Sequence, residues 1–482
     1  MAADQTNSRL AWETLLELDG AGSRVAQLER AVRDAVRTGR APAGAALPAS
    51  RRLAEVLGVS RWVVTEVYGQ LVAEGVLEAR TGSATRVAAQ VALPEVGRPA
   101  RGPEAGGGPQ LARRPRFDLA PGVPDLRHVP RDAWLRAARE ALAVAAGDDL
   151  GGVPWGGHPR ARAALAAHLR RARMVAAPDE AVVLTHGATR GMALVAAALA
   201  AAGHRHLLVE DPSWPVLREV ARRAGLEPVP VPVDDDGVDA DALAAAAART
   251  GARAALLTPA HQFPTGSALA PERRQRVVAW ARAVDGLVVE DDYDAEFRYD
   301  RRPVAALQRL APQHVLLLGS LSKTLAPAFG TGWAVVPPRW RTPLERAARD
   351  VADGPSTVDQ LTFARLLDGG AYDRHLRATR VRYRRRRDAL VAALGRALPE
   401  ARVRGLPAGL HLLLDLGAGA PDTAAVVRAA ADREVAVADL RRYQARPAPR
   451  SGTLVLGYGN LADARVDEAV TRLAEAVSAA GR

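Results

Sequence analysis

Cysteine is absent from the 482 residues, which removes disulfides, thiolate chemistry and cysteine-ligated metal sites and fits a reducing compartment. No basic segment followed by an apolar one opens the chain, and no uncharged stretch is long enough to cross a bilayer. The expectation is a cytoplasmic protein with no membrane partner. Lysine is nearly absent too: among 66 basic side chains, Lys323 is the only lysine. A primary amine condenses with an aldehyde and a guanidinium does not, so Lys323 is the first residue to explain. A solvated lysine retained by chance is the plain alternative, and its surroundings must decide.

What is present describes a globular protein: 48% hydrophobic residues, 25% charged, and a length that calls for two or three domains. The net charge of +12 permits a polyanion partner without establishing one. Near the N-terminus a helical turn is expected around Trp12 to Leu18. From Ser23, Val25, Leu28, Val32 and Val36 recur at helical spacing. Ser50 is placed to cap a second helix, Arg51 to Leu57, and Ser60 a third, Arg61 to Glu74, with Gly58 making the turn. The third helix would bury Val63, Val64, Val67, Tyr68 and Leu71. Val76 to Ala79, Gly82 and Thr85 to Val87 read as a two-stranded wing.

Two short helices on a tight glycine turn, after a longer helix and before a hairpin, make a winged helix-turn-helix. Arg51 and Arg52 open its second helix, and Arg61, Trp62 and Thr65 lie on the outer face of the third. Any one of these arginines alone reads as a solvated side chain; together they suit duplex DNA, because guanidiniums fork onto guanine edges and hold phosphates. The run from Leu47 to Gly82 resembles the DNA-binding domain of the GntR family of bacterial regulators. That resemblance implies operator contacts by Ser50, Arg51, Arg52, Ser60, Arg61 and Thr65.

Residues 20–89 are thus assigned to the DNA-binding domain and 90–115, rich in Pro, Gly and Arg, to a flexible linker. Residues 116–482 form an α/β domain, in which alanine-rich helices alternate with short apolar runs: Val182 to Leu184, Arg205 to Val209, Ala254 to Leu257, Leu287 to Val289 and Val315 to Leu318. This is the rhythm of a mostly parallel sheet covered by helices. From about Gln360 a smaller α/β domain is expected, with a long helix Tyr372 to Leu394 and strands at Gly409 to Leu414, Glu434 to Ala438 and Thr453 to Tyr458. The arginine run Arg380 to Arg387 reads as a solvated helix face.

Lys323 follows one of these runs, at the carboxyl end of a strand, where open α/β sheets bind ligands. Four other strand ends carry chemistry. Gly187-Ala188-Thr189 opens a helix with free amides, Trp214 offers a ring, the stretch Pro259 to Gly266 follows Leu257, and Glu290 to Phe297 brings carboxylates beside Tyr293. Singly, the acids could hold a divalent ion, the tryptophan could be core and the glycines turns. Together they supply what pyridoxal 5′-phosphate requires: an amine, a carboxylate for the pyridine nitrogen, a flanking ring, a phenol donor and a phosphate cradle.

HQFPTG, EDDYDAEFRYD and SLSKTLAP resemble the MocR/PdxR/GabR-type subfamily of GntR regulators, a winged helix-turn-helix fused to the large and small domains of a fold-type I aminotransferase. The resemblance implies an internal aldimine on Lys323, Asp291 on the pyridine nitrogen, Tyr293 on the phenolic oxygen and Trp214 on the ring. It assigns Ala188, Thr189, Ser320 and Ser322 to the phosphate, and it implies a head-to-tail homodimer. Three positions depart from the subfamily pattern. Gly330 stands where an arginine usually clamps the phosphate, Val455 where one takes an amino-acid carboxylate, and Gly152 to Trp155 replace a tyrosine-bearing segment. Arg190, Arg218 and Arg298 are candidates to compensate. The expectation is a regulator of DNA occupancy responsive to the cofactor or a small amine. An aminotransferase carrying a DNA-binding module, and a regulator using the domain only as a dimerisation scaffold, are the alternatives.

Overall fold

The computed structural model describes residues 11–18, 20, 22–79, 84–88, 115–152, 154–299, 304–349, 354–417, 419–448 and 450–481. The chain divides into two compact units, residues 1–110 and 111–482. Nearly all of the expected linker, 90–115, and the wing glycine Gly82 lie outside the described residues.

The first unit contains α1 (Trp12–Leu15), α2 (Arg24–Arg37), α3 (Ser50–Leu57), α4 (Arg61–Ala73) and an antiparallel pair, β1 (Leu77–Glu78) with β2 (Arg86–Val87). Ser23 and Ser60 cap α2 and α4, accepting from the amides of Ala26 and Val63. Ser50 does not cap α3: it is the helix's first residue, Ala49 holds the cap position, and no side chain caps it. The five residues expected to face inward on α4 are all buried. Trp12 joins the same core, 2% exposed with its indole N–H donating to the Ala46 carbonyl at 2.9 Å. The N-terminal turn is therefore part of this fold.

The second unit opens with β3 (Phe117–Asp118) and is built on an eight-stranded sheet. Its strands in chain order are β4 (Val182–Thr185), β5 (His206–Asp211), β6 (Glu227–Asp234), β7 (Gly237–Val238), β8 (Ala254–Leu257), β9 (Leu287–Asp291), β10 (Val315–Ser320) and β11 (Gly332–Val335). The spatial order is β4-β11-β10-β9-β8-β5-β6-β7, parallel from β10 through β6. All five expected strands are there. Strands β6, β7 and β11 were not anticipated. In β6 the prolines at 228, 230 and 232 occupy alternate positions, so their missing N–H groups lie on one side, away from the ladder to β5. Strand β11 runs antiparallel between β4 and β10.

A four-stranded sheet completes the unit: β12 (Arg402–Arg404), β13 (His411–Asp415), β15 (Ala438–Asp439) and β16 (Thr453–Gly457), while β14 (Val435–Ala436) pairs with β3. The long helix spans Ala371–Ala397, and its arginine run is not one solvated face. Arg386 is buried with its side chain 1% exposed, bonded to Asp125 at 2.7 Å and Asp463 at 2.6 Å. It shares the inward stripe of the helix with Leu376, Thr379, Tyr383 and Leu390.

Candidate functional site

In the first unit, the side chains of Arg51, Arg52, Ser60, Arg61 and Thr65 are exposed and Ser50 is half-buried. They sit on the start of α3 and the first turns of α4. Thr65 returns its hydroxyl to the Arg61 carbonyl at 3.0 Å, and Arg51 lies 3.4 Å from Glu55. Trp62, next to Arg61 at the start of α4, is 66% exposed, a large apolar face left open.

In the second unit the carboxyl ends of β4, β5, β8, β9 and β10 converge on one cavity of about 220 Å³, room for a single-ring molecule. All eight residues expected to bind the cofactor line it: Ala188, Thr189, Trp214, Asp291, Tyr293, Ser320, Ser322 and Lys323. The sequence missed His186, Thr258 and Gly122. The first two line the cavity; the carbonyl of Gly122 accepts from the Lys323 ammonium. A Cβ on Gly122 would stand 3.2 Å from the Lys323 Nζ, at a φ of +86°, so only glycine fits without displacing the amine.

Burial lowers the pKa of Lys323, opposed by the nearby carboxylates Asp294 and Asp291. Asp291 is buried at the end of β9, its Oδ1 has no hydrogen-bond partner, and burial pushes its carboxyl up to about 7. Asp292 adds to that rise and Lys323 opposes it. Deeper in, Glu210 is pushed up to about 7 by burial, against donation from Thr258 and Gln262. Tyr293 is held far above its usual range by burial and remains a phenol. Its hydroxyl lies 3.1 Å from His261 Nδ1, which also bonds Asp294 at 2.9 Å. The phenol thus sits in a hydrogen-bonded group with His261 and Asp294, and Asp294 adds to the rise of its pKa.

The geometry fits pyridoxal phosphate. A buried carboxylate with an open oxygen suits a protonated ring nitrogen, the lysine amine is desolvated, and the amides at the start of the helix Gly187–Ala201 suit a phosphate. No arginine lines the cavity among the described residues. Val455 is fully buried in β16, packed with Phe263, Leu413 and Tyr443. Of the three arginines considered as substitutes, Arg218 donates to the Tyr443 and Gln444 carbonyls and Arg298 to that of Ala260; neither they nor Arg190 line the cavity.

The raised Asp291 carboxyl has a consequence for stability. Folded, it keeps a proton that the unfolded chain releases near pH ~4, so the folded state binds more protons between about 4 and 7 and loses stability as pH rises through that window. Asp291→Asn is expected to flatten this decline in ligand-free protein, making it more stable than wild type at pH ~8. Urea unfolding at both ends of the window measures it; identical pH slopes would contradict the assignment.

Two family models match the chain: bacterial regulatory proteins of the gntR family over residues 24–87, and aminotransferase class I and II over 115–473. It is 32% identical to the HTH-type pyridoxine biosynthesis transcriptional regulator PdxR of Corynebacterium glutamicum, over 94% of this chain and 95% of that protein. It is 31% identical to the probable rhizopine catabolism regulatory protein MocR of Rhizobium meliloti, over 93% of each. Among solved structures, an archaeal alanine:glyoxylate aminotransferase superposes with a TM-score of 0.69 at 23% identity, covering 75% of this chain and 91% of that one. The α-aminoadipate aminotransferase LysN of Thermus thermophilus, solved with N-(5′-phosphopyridoxyl)-L-leucine, gives 0.67 at 26%, covering 75% and 92%.

Proposed function

Because the chain belongs to the GntR family of bacterial regulatory proteins, in its MocR/PdxR-type branch, we propose that its occupancy of operator DNA responds to pyridoxal 5′-phosphate held around Lys323. The observation that carries this reading is the presence, on one chain, of an exposed arginine-bearing helix and a cavity where a desolvated lysine accompanies a buried carboxylate with an open oxygen.

When bound, the cofactor supplies an aldehyde that condenses reversibly with amines. Burial leaves more of the Lys323 amine unprotonated and able to react. Asp291 would hold a proton at the ring nitrogen and Tyr293 would donate to the phenolic oxygen. Trp214 would cover the ring, while Thr189, Ser320, Ser322 and the backbone at Ala188 would take the phosphate. Ser50, Arg51, Arg52, Ser60, Arg61 and Thr65 would contact the operator. The buried Val455 and the pyridoxine-related name of one relative support the cofactor itself as the signal, and with it control of vitamin B6 metabolism, over an amino acid or amine.

A head-to-tail homodimer belongs to the same proposal. Leu135, Leu142 and Val144 of the helix Arg131–Val144, with Leu150 just beyond, are each more than half exposed and give an apolar face to cover.

The test starts from duplexes selected by the full-length protein out of a random pool. Adding pyridoxal phosphate is expected to change affinity by roughly 5- to 150-fold, and Arg61→Ala to weaken binding to the selected site while sparing cofactor uptake. Footprints should show two half-sites, as a dimer requires. Binding indifferent to the cofactor at every concentration would sink the coupling, and a single half-site the dimer. Sustained transamination of an amino donor would favour the enzyme reading.

A further inference from the structure

Gly330, in the helical turn after Lys323, adopts a φ of +57° and leaves open space where a side chain would stand. The one atom within 4 Å of a Cβ built there is Nδ1 of His186, at 3.8 Å. His186 stands just past the end of β4, which pairs with β11 beside Gly330, at the cap position of the helix Gly187–Ala201, and its ring caps nothing. The ring is exposed, makes no hydrogen bond among the described residues, and lines the cavity beside Ala188, Thr189, Ser320 and Ser322.

Charge decides what the ring is for. A phosphate monoester brings about −1.5 to −2 charges near neutrality, whereas hydroxyls are neutral and a helix N-terminus offers about +0.5. Among the described residues that line the cavity, only Lys323 and His186 are basic. The lysine amine is committed to the aldehyde, which leaves one side chain able to place a full positive charge beside the cradle.

Resting on the cofactor reading above, we propose that His186 is the charged anchor for the phosphate of pyridoxal phosphate, standing beside Gly330 from the end of the neighbouring strand β4. The chemistry it recognises is a phosphate monoester, so it sets preference for the phosphorylated vitamer over the free one.

Full-length protein stripped of ligand is titrated with pyridoxal phosphate and with pyridoxal, binding being followed by visible absorption. His186→Ala is expected to weaken pyridoxal phosphate roughly tenfold and to leave pyridoxal unchanged within about twofold. His186→Gln, which can hydrogen-bond but carries no charge, should behave like the alanine variant, and His186→Arg should restore tight binding. Because the ring caps no helix, these changes spare the fold; a circular-dichroism melt checks this. Equal losses for both vitamers, unchanged phosphate-ester affinity in His186→Ala, or full retention by His186→Gln each overturn the charged anchor. If wild type binds neither compound, the cofactor assignment itself falls and takes this inference with it.

Discussion

Lys323→Ala is expected to abolish covalent retention of pyridoxal phosphate: borohydride treatment should fix the cofactor on the wild type and leave the variant unlabelled. The effect is all-or-none, because the chain has no second lysine to substitute. Total affinity should fall to its non-covalent part, since the bond to the aldehyde is removed while the other residues lining the cavity remain. Mass spectrometry of the reduced protein reads the result directly. Labelling of the variant, necessarily at an N-terminal amine, would place the chemistry elsewhere. Lys323→Arg should behave like alanine, because a guanidinium keeps the charge and cannot condense. Unchanged DNA binding by both variants, in cofactor-free protein, would separate the operator surface from the cavity.

Arg386→Leu should strongly destabilise the second unit. Its guanidinium bonds the carboxylates of Asp125 and Asp463 and the carbonyls of Tyr458 and Gly459, with 1% of the side chain exposed. Removing one member of such a buried network costs about 3–5 kcal/mol, because the remaining charge is left without its partner. Burial pushes the Asp125 carboxyl up, but Arg127 and Arg386 outweigh burial and hold it well below the usual carboxylate range. A depressed pKa means that Asp125 contributes stability above pH ~4 and loses it as pH falls. The deficit of Arg386→Leu in urea unfolding should therefore be full at neutrality and shrink below pH ~4. A deficit independent of pH would mean that lost packing, and not the ion pair, sets the cost. The same network secures the segment from Gly122 to Asp125, whose Gly122 carbonyl receives the Lys323 amine. Loosened cofactor binding should accompany the loss of stability.

Both predictions turn on residues whose legibility differs. Lys323 was conspicuous in the sequence through composition and through the apolar run before it. Arg386 was hidden inside an arginine run that looked uniformly solvated. Its burial follows from the helical stripe Tyr372, Leu376, Thr379, Tyr383, Arg386, Leu390, a spacing written in the sequence but masked by charge. Strand β6 was missed because proline usually argues against a strand.

The sequence by itself determined the helix-turn-helix, the order of the parallel strands' apolar runs and eight of the residues that line the cavity. Each of those depends on caps, periodicity or strand-end motifs, signals that act within a few residues of where they are read. Tertiary structure alone decided that Gly122 meets Lys323 across 201 positions, that Asp125 meets Arg386 across 261, and that His186 occupies the space beside Gly330. It also decided that Val455 is core. Those pairings depend on which strands lie adjacent in the sheet and on the paths of the connections between them, and no local pattern of side chains encodes that path.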